Sequence, residues 1–406
     1  MDQATVLAAL QGDTPDLALT ELAAGPRAID CPDLGSGRLV FPRYREVRHL
    51  LRDPGFICAP TASGMLNTLP ADLRELLAPV ASWVLYADPP LHPRLRTLLA
   101  RAFSPRQITD LRSTIVRTAD ILVGEFSAKG GGDAVTELAE PLPVHTISAL
   151  LGIPEADQDA VKAWSDDVVL IAEPKLTQTQ EQLVALAWQC LARYFEGIID
   201  ERRTMPGSDI ISGLVQAEAQ GDRLTTEEIT ANCIALLVGG HETTSSLMSS
   251  LFLAAAAHPE HREAVVADDT FAAGFVEEVL RLDGPSKITA RAAVHDTDVF
   301  GIPVAAGQRL VLLQASANRD PEVFESAEEF CPERRPNLHL GFGYGPHACF
   351  GAALARMQAT ALLQAFMRES AALSIDRAGV RWKPSQVLRS AAHLPVVSKR
   401  ATRGAA

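Results

Sequence analysis

Phe342-Gly343-Tyr344-Gly345-Pro346-His347-Ala348-Cys349-Phe350-Gly351 is the stretch on which the reading of this chain turns. Its glycines and its proline impose an irregular backbone, and the small-residue run Ala352-Ala353-Leu354-Ala355 that follows predicts a helix. A cysteine at the start of a helix feels the positive end of the dipole and nearby amide donors, which favour thiolate. Glycines also let a flat ligand approach the backbone closely, as a thiolate bound axially to haem iron requires. Other readings fit parts of the loop. It can be a structural turn. Gly343-x-Gly345-x-x-Ala348 can be a dinucleotide fingerprint, but Pro336 and Asn337 stand where a strand must precede it. His347 and Cys349 could bind zinc, but no second Cys or His pair lies at ligand spacing from them.

Outward from the loop, apolar residues recur at helical spacing through Pro105 to Phe126, Glu137 to Leu151, Gln180 to Arg203, Asp209 to Ala219, Thr226 to His258 and Ala352 to Met367. The longest, Thr226 to His258, has Thr225 and Glu228 at capping-box spacing and Pro259 as its stop. At about 1.5 Å per residue it spans roughly 50 Å, enough to cross a whole domain. Its flanks are apolar on nearly every side, which predicts burial, yet its middle reads Gly239-Gly240-His241-Glu242-Thr243-Thr244. A carboxylate inside a buried helix is costly unless something needs it. Strand signals are confined to Arg38 to Phe41 and to a hairpin-like segment, Val299 to Val304 and Leu310 to Leu313, turned through Ala305-Ala306-Gly307. The expected fold class is mainly α with small β-sheets around a long central helix.

Of the 406 residues, 47% are hydrophobic and no linker or repeat divides them, so a single domain over 1–406 is expected, with 1–39 as an extension of uncertain order. Lys and Arg number 37 against 50 Asp and Glu, a balance of -13 that argues against nucleic-acid binding. The acidic start, interrupted by Gly12 and Pro15, lacks a signal peptide's basic end and apolar run. No stretch of about 18 apolar residues is present to span a membrane, so a cytoplasmic protein is expected. The six cysteines are scattered without a CxxC pair, which argues against a disulfide framework.

At the cysteine loop the chain resembles the cytochrome P450 family, whose haem signature FGxGxHxCxG is met at every fixed position from Phe342 to Gly351. The family's oxygen-activating signature falls on Gly239-Gly240-His241-Glu242-Thr243, and its ExxR motif on Glu278 and Arg281. The later arginine of that structural triad falls on Arg334, with Cys331 where relatives commonly carry aspartate. His92 and Arg96 resemble the family's HxxxR propionate grip, and Arg291 another propionate-binding arginine.

The resemblance implies a cytochrome P450-like fold whose long helix crosses a haem b (iron protoporphyrin IX). Cys349 becomes the iron ligand, and His92, Arg96, Arg291 and His347 hold the propionates. Glu242 and Thr243 become the catalytic pair, Thr243 steadying dioxygen while Glu242 helps relay protons. The plainer reading of that pair is a kink, with Thr243 bonded back to a carbonyl and Glu242 reaching solvent. Their spacing alone lets His92 and Arg96 serve one carboxylate from one helix face. The implied reaction is insertion of one oxygen atom into a small organic substrate, free or tethered to a carrier protein, in a bacterial tailoring step. No flavin, nicotinamide or iron–sulfur motif is present, so a ferredoxin and a ferredoxin reductase are the expected electron donors, docking near Arg101, Arg106 and Arg356. Alternatives are an oxidative coupling enzyme and a haem-binding sensor without turnover. His241 is assigned a structural role. Lys287 is either a solvated or carbonyl-capping lysine or a contact for an acidic substrate group.

Overall fold

The computed structural model describes residues 1–11, 16–32, 34, 39–102, 105–173, 175–219 and 224–400. Its longest helix, Thr226–Ala257, begins with the expected reciprocal cap: the Glu228 amide donates to Thr225 Oγ1 at 3.1 Å, and the Thr225 amide to Glu228 at 2.8 Å. Leu237, Leu247, Met248, Leu251 and Phe252 bury its flanks. Around it pack Pro141–Leu151, Gln158–Val168, Gln178–Thr204, Asp269–Asp283 and Ala352–Glu369. The helix expected to begin at Glu137 is instead a π-helical turn, Val135–Ala139, followed by Pro141–Leu151. Pro141 and Pro143 lack the amide hydrogens that a continuous α-helical ladder would use.

The principal sheet has five short strands in the order Ile29–Asp30, Leu39–Phe41, Arg309–Leu312, Thr289–Ala293 and Phe56–Ile57. Arg38, expected to start the second of these, lies outside the described residues. The expected hairpin is wrong in its pairing. Thr297–Val299 pairs with Ile302–Val304 about Phe300-Gly301, whose φ angles are 52° and 90°. Arg309–Leu312 instead joins the principal sheet, parallel to Leu39–Phe41 and antiparallel to Thr289–Ala293. Alternation of apolar residues marked these strands, but the choice of partner came from distant chain.

The first 39 residues contribute two helices, Gln3–Gln11 and Asp16–Ala23, that pack Val6, Leu10, Leu19 and Leu22 against Val40, Val311 and Leu313. Lys287 secures this segment from beneath. It is buried, and its Nζ donates to the Leu10 and Ser385 carbonyls at 2.5 Å each, so it is a carbonyl-capping lysine. Both bonds go to main-chain carbonyls, the arrangement of the capping reading. No helix among the described residues is long and apolar enough to cross a membrane.

Candidate active site

The cysteine loop is shaped by left-handed backbone at Gly343 and Gly345, where φ is 69° and 77°. A Cβ at Gly345 would also stand 2.8 Å from the Leu51 carbonyl, so the loop lies directly on the helix Tyr44–Arg52. Arg48 Nη2 donates to the Tyr344 hydroxyl at 2.7 Å and ties the two together. The Cys349 amide donates to the Phe342 carbonyl at 2.8 Å, closing the loop ahead of Ala352–Glu369. Cys349 is solvent-accessible yet surrounded by protein. Burial pushes its thiol up, against the Gly351 amide, Arg356 and Arg96, which pull it down. Desolvation and these donors thus act on the thiol in opposite directions.

Beside the thiol, the helix Leu91–Ala102 supplies His92 and Arg96, the strand Thr289–Ala293 supplies Arg291, and the loop supplies His347. The His92 and His347 rings lie 4.0 Å apart. Arg96 Nη2 donates to the Ala348 carbonyl at 2.9 Å, and Arg291 Nη1 to its neighbour Ala290 at 2.8 Å. His92 Nε2 and His347 Nδ1 are buried without a hydrogen-bond partner. Burial and then the crowding of His92, Arg291 and Arg96 push His347 down to about 3, and burial with Arg96 lowers His92. Two imidazoles and two guanidiniums concentrated here call for anionic oxygens.

On the central helix, Gly239 is exposed and Gly240 and Thr243 are half-buried, although the positions on either side are buried. A Cβ at Gly239 or Gly351 would meet nothing within 4 Å. The helix therefore borders open space at Gly239, whereas a Cβ at Gly240 would press on Ile147 at 3.0 Å. Thr243 Oγ1 donates to the Gly239 carbonyl at 2.7 Å, the back-bonding of the plainer reading. Glu242 does not reach solvent as that reading supposed. It is buried, and both its oxygens accept from Lys383 Nζ at 3.0 Å. His241 places Nε2 2.9 Å from Asp166 Oδ1 and Nδ1 3.0 Å from the Leu237 carbonyl, with a ring nitrogen within 4.8 Å of a Glu242 oxygen. Burial raises Asp166, but hydrogen bonds from His241 and Lys162 prevail and lower it.

Lys383 was not legible in the sequence, since it lies 141 residues from Glu242. The one signal was charge balance: a buried carboxylate needs a cation. Lys383 follows the strand Arg381–Trp382, which pairs with Ala391–His393. The connecting strap, residues 383–390, is tied at both ends. Ser390 Oγ lies 2.6 Å from Ser246 Oγ on the central helix, and the Gln386 amide donates to Glu173, which also accepts from Ser385 Oγ.

Glu278, Arg281 and Arg334 form a separate, closed network. Arg281 Nη2 and Nε donate to the two oxygens of Glu278 at 2.7 and 2.9 Å, and Arg334 Nε adds a bond at 3.2 Å. The Cys331 amide supplies another at 3.0 Å, so the backbone does the work there whatever the side chain. Arg356, put forward as a docking cation, instead grips Glu277 through Nε and Nη2 at 2.7 and 2.8 Å. The Arg106 side chain lies outside the described residues.

These residues fit a haem: a flat group with carboxylates for the unpartnered imidazoles and guanidiniums, and an iron for the thiol. Helix-rich architecture and this site together define the haem-thiolate class of protein. The family model for cytochrome P450 matches residues 159–372. The monooxygenase PikC of Streptomyces venezuelae is 36% identical over 87% of this chain and 83% of its own. Mycinamicin IV hydroxylase/epoxidase of Micromonospora griseorubida is 34% identical over 90% and 91%. A crystal structure of P450BioI with hexadec-9Z-enoic acid ligated acyl carrier protein superposes with a TM-score of 0.85, at 29% identity over 94% and 98% of the two chains. The chain belongs to the cytochrome P450 family. It is an enzyme of the monooxygenase class, with the haem-thiolate cofactor of that family.

Proposed function

We propose that this chain inserts one atom of dioxygen into a small organic substrate as a tailoring hydroxylation in bacterial secondary metabolism, using haem b. The observation that carries the reading is the accessible Cys349 thiol beside buried, unpartnered His92 Nε2 and His347 Nδ1. Cys349 is the iron ligand, and His92, Arg96, Arg291 and His347 hold the propionates. When bound, the haem supplies dioxygen activation, aided by electron donation from the thiolate.

The chain's own task is to hold substrate, exclude stray water and deliver protons. Thr243 donates its hydroxyl proton in a hydrogen bond to the Gly239 carbonyl, which leaves its oxygen lone pairs to accept one. Glu242 takes up and releases protons at its two oxygens once Lys383 exchanges one of its bonds for water. Lys383 is 37% exposed in its side chain, so its ammonium can move to solvent. Electrons come from a ferredoxin and its reductase, docked by charge near the exposed Arg101. The substrate arrives free or on an acyl carrier protein, the partner seen with P450BioI.

The first test is the carbon monoxide difference spectrum of the reduced protein, in which a strongly red-shifted Soret band reports a trans thiolate. Cys349→Ser removes that band; a histidine-type spectrum in the wild type overturns the ligand assignment. With surrogate redox partners and labelled dioxygen, product carrying one labelled oxygen supports insertion. Turnover without label incorporation points to oxidative coupling, and stable haem with no turnover of any offered substrate to a sensor.

A further inference from the structure

The far end of the central helix carries a group of side chains that the reaction does not use. The helix Thr226–Ala257 ends without a basic residue in its last turn, although the negative end of so long a helix favours positive charge. In place of a lysine or arginine stands His258-Pro259-Glu260-His261. Glu260 by itself has the wrong sign for this position.

Pro259–His261 is a 3-10 turn, and it folds the three side chains toward one point. His258 Nδ1 is 3.3 Å and His261 Nε2 3.9 Å from the same oxygen, Glu260 Oε1, and the three residues each bring one ligand atom within 4.8 Å of the others. Ligands about 2.0–2.1 Å from a tetrahedral zinc ion stand about 3.3 Å apart, so a shift of roughly an ångström would complete the set. The rings are held in place. His258 stacks on Phe330 at 4.4 Å and 14°, and His261 packs against Phe271 at 5.4 Å and Phe275 at 6.3 Å. Clamped rings have little rotamer freedom left to lose on binding. Side-chain exposures of 32% for His258, 60% for Glu260 and 26% for His261 leave the donor atoms open to solvent.

We propose that His258, Glu260 and His261 form a second metal site, taking one divalent cation of the zinc, nickel or copper type at the end of the central helix. Two imidazole nitrogens and a single carboxylate suit those borderline ions. Calcium and magnesium want several oxygens and are poorly served. Three protein ligands leave a tetrahedral ion one position for water. The cation supplies the positive charge that the helix end lacks, and it balances Glu260. This site is independent of the haem reading, because none of its residues belongs to the cysteine loop or the Glu242 region.

The test titrates zinc chloride into the chelator-treated, haem-loaded full chain by calorimetry at neutral pH. One saturable site in the micromolar range is expected, together with a zinc-dependent rise in melting temperature. His258→Gln with His261→Gln should weaken it by more than about tenfold, since even outer-shell changes cost 10- to 100-fold. Glu260→Gln, a change at an exposed side chain that preserves shape, should weaken it as well and serves if the histidine pair disturbs the Phe330 packing. Crystals soaked in zinc should show anomalous density among the three residues. Absence of saturable binding overturns the proposal, as does an isotherm that the Glu260→Gln variant leaves unchanged.

Discussion

Glu278 and Glu242 are both helix glutamates with almost no side-chain exposure, 0% and 6%, and both are met by cations. Around Glu278 every approach is occupied: Arg281, Arg334, Asn337 and the Cys331 amide all donate to it. Arg281 is itself buried and spends its remaining donors on the carbonyls of Asn318, Ala327 and Glu329. Around Glu242 there is one ammonium, on a side chain that is more than a third exposed. A carboxylate saturated by buried donors is fixed, whereas one held by a single half-exposed lysine can change partners. The same residue type serves as a rivet in one place and in the other keeps the freedom that the proposed proton relay requires.

The largest test of that contrast is Arg281→Met. It strands Glu278 as a buried charge, and the expected loss is about 3–5 kcal/mol of stability in denaturant unfolding. Near-wild-type stability would break the contrast at its fixed end. Lys383→Met should cost far less, no more than about 1 kcal/mol, because water can replace an exposed partner. Its signature lies in electron coupling, with more peroxide released per product formed. A loss as large as that of Arg281→Met would show that Glu242 is also locked.

Thr243→Ala should leave haem loading, substrate affinity and stability nearly unchanged while diverting reducing equivalents to peroxide. Unaltered coupling, measured as product per electron pair, would remove Thr243 from the relay. The smallest effect concerns Glu277, the outward-facing neighbour of Glu278. Burial pushes it up, but hydrogen bonds from Arg356 and His339 prevail and hold it at about 2 against an ordinary 4.5. The unfolded chain therefore binds the proton first as pH falls. The stabilisation from Glu277 is complete above pH 4.5 and fades from there toward about 2. Arg356→Ala should lower stability near neutrality, where the Glu277 contribution is complete, and the difference from wild type should shrink as pH falls toward about 2.

What could be read in the sequence was local. The capping box of Thr225 and Glu228, the Pro259 stop and the spacing of His92 and Arg96 act within one or two helical turns, so short windows reveal them. The irregular backbone of the cysteine loop was legible because Gly343 and Gly345 supply angles that other residues rarely adopt. Partners chosen across the fold were not. Val304 and Arg309 stand close in sequence, yet their strands enter different sheets. The Lys383 partner of Glu242, the Arg356 partner of Glu277 and the Leu10 partner of Lys287 all depend on packing that no window contains. The surroundings of Cys349 were hidden for the same reason: its helix start is visible in the sequence, but the protein that desolvates the thiol is not.

The strap 383–390 has a bearing on how this enzyme can be re-engineered. One short segment carries the ammonium that faces Glu242 and also the groups that grip Glu173, in the connection between Gln158–Val168 and Gln178–Thr204. Libraries that randomise it to widen substrate scope will move both handles together. Under the proposed relay, a substitution in the strap shifts proton delivery through Lys383 and the hold on Glu173 at once.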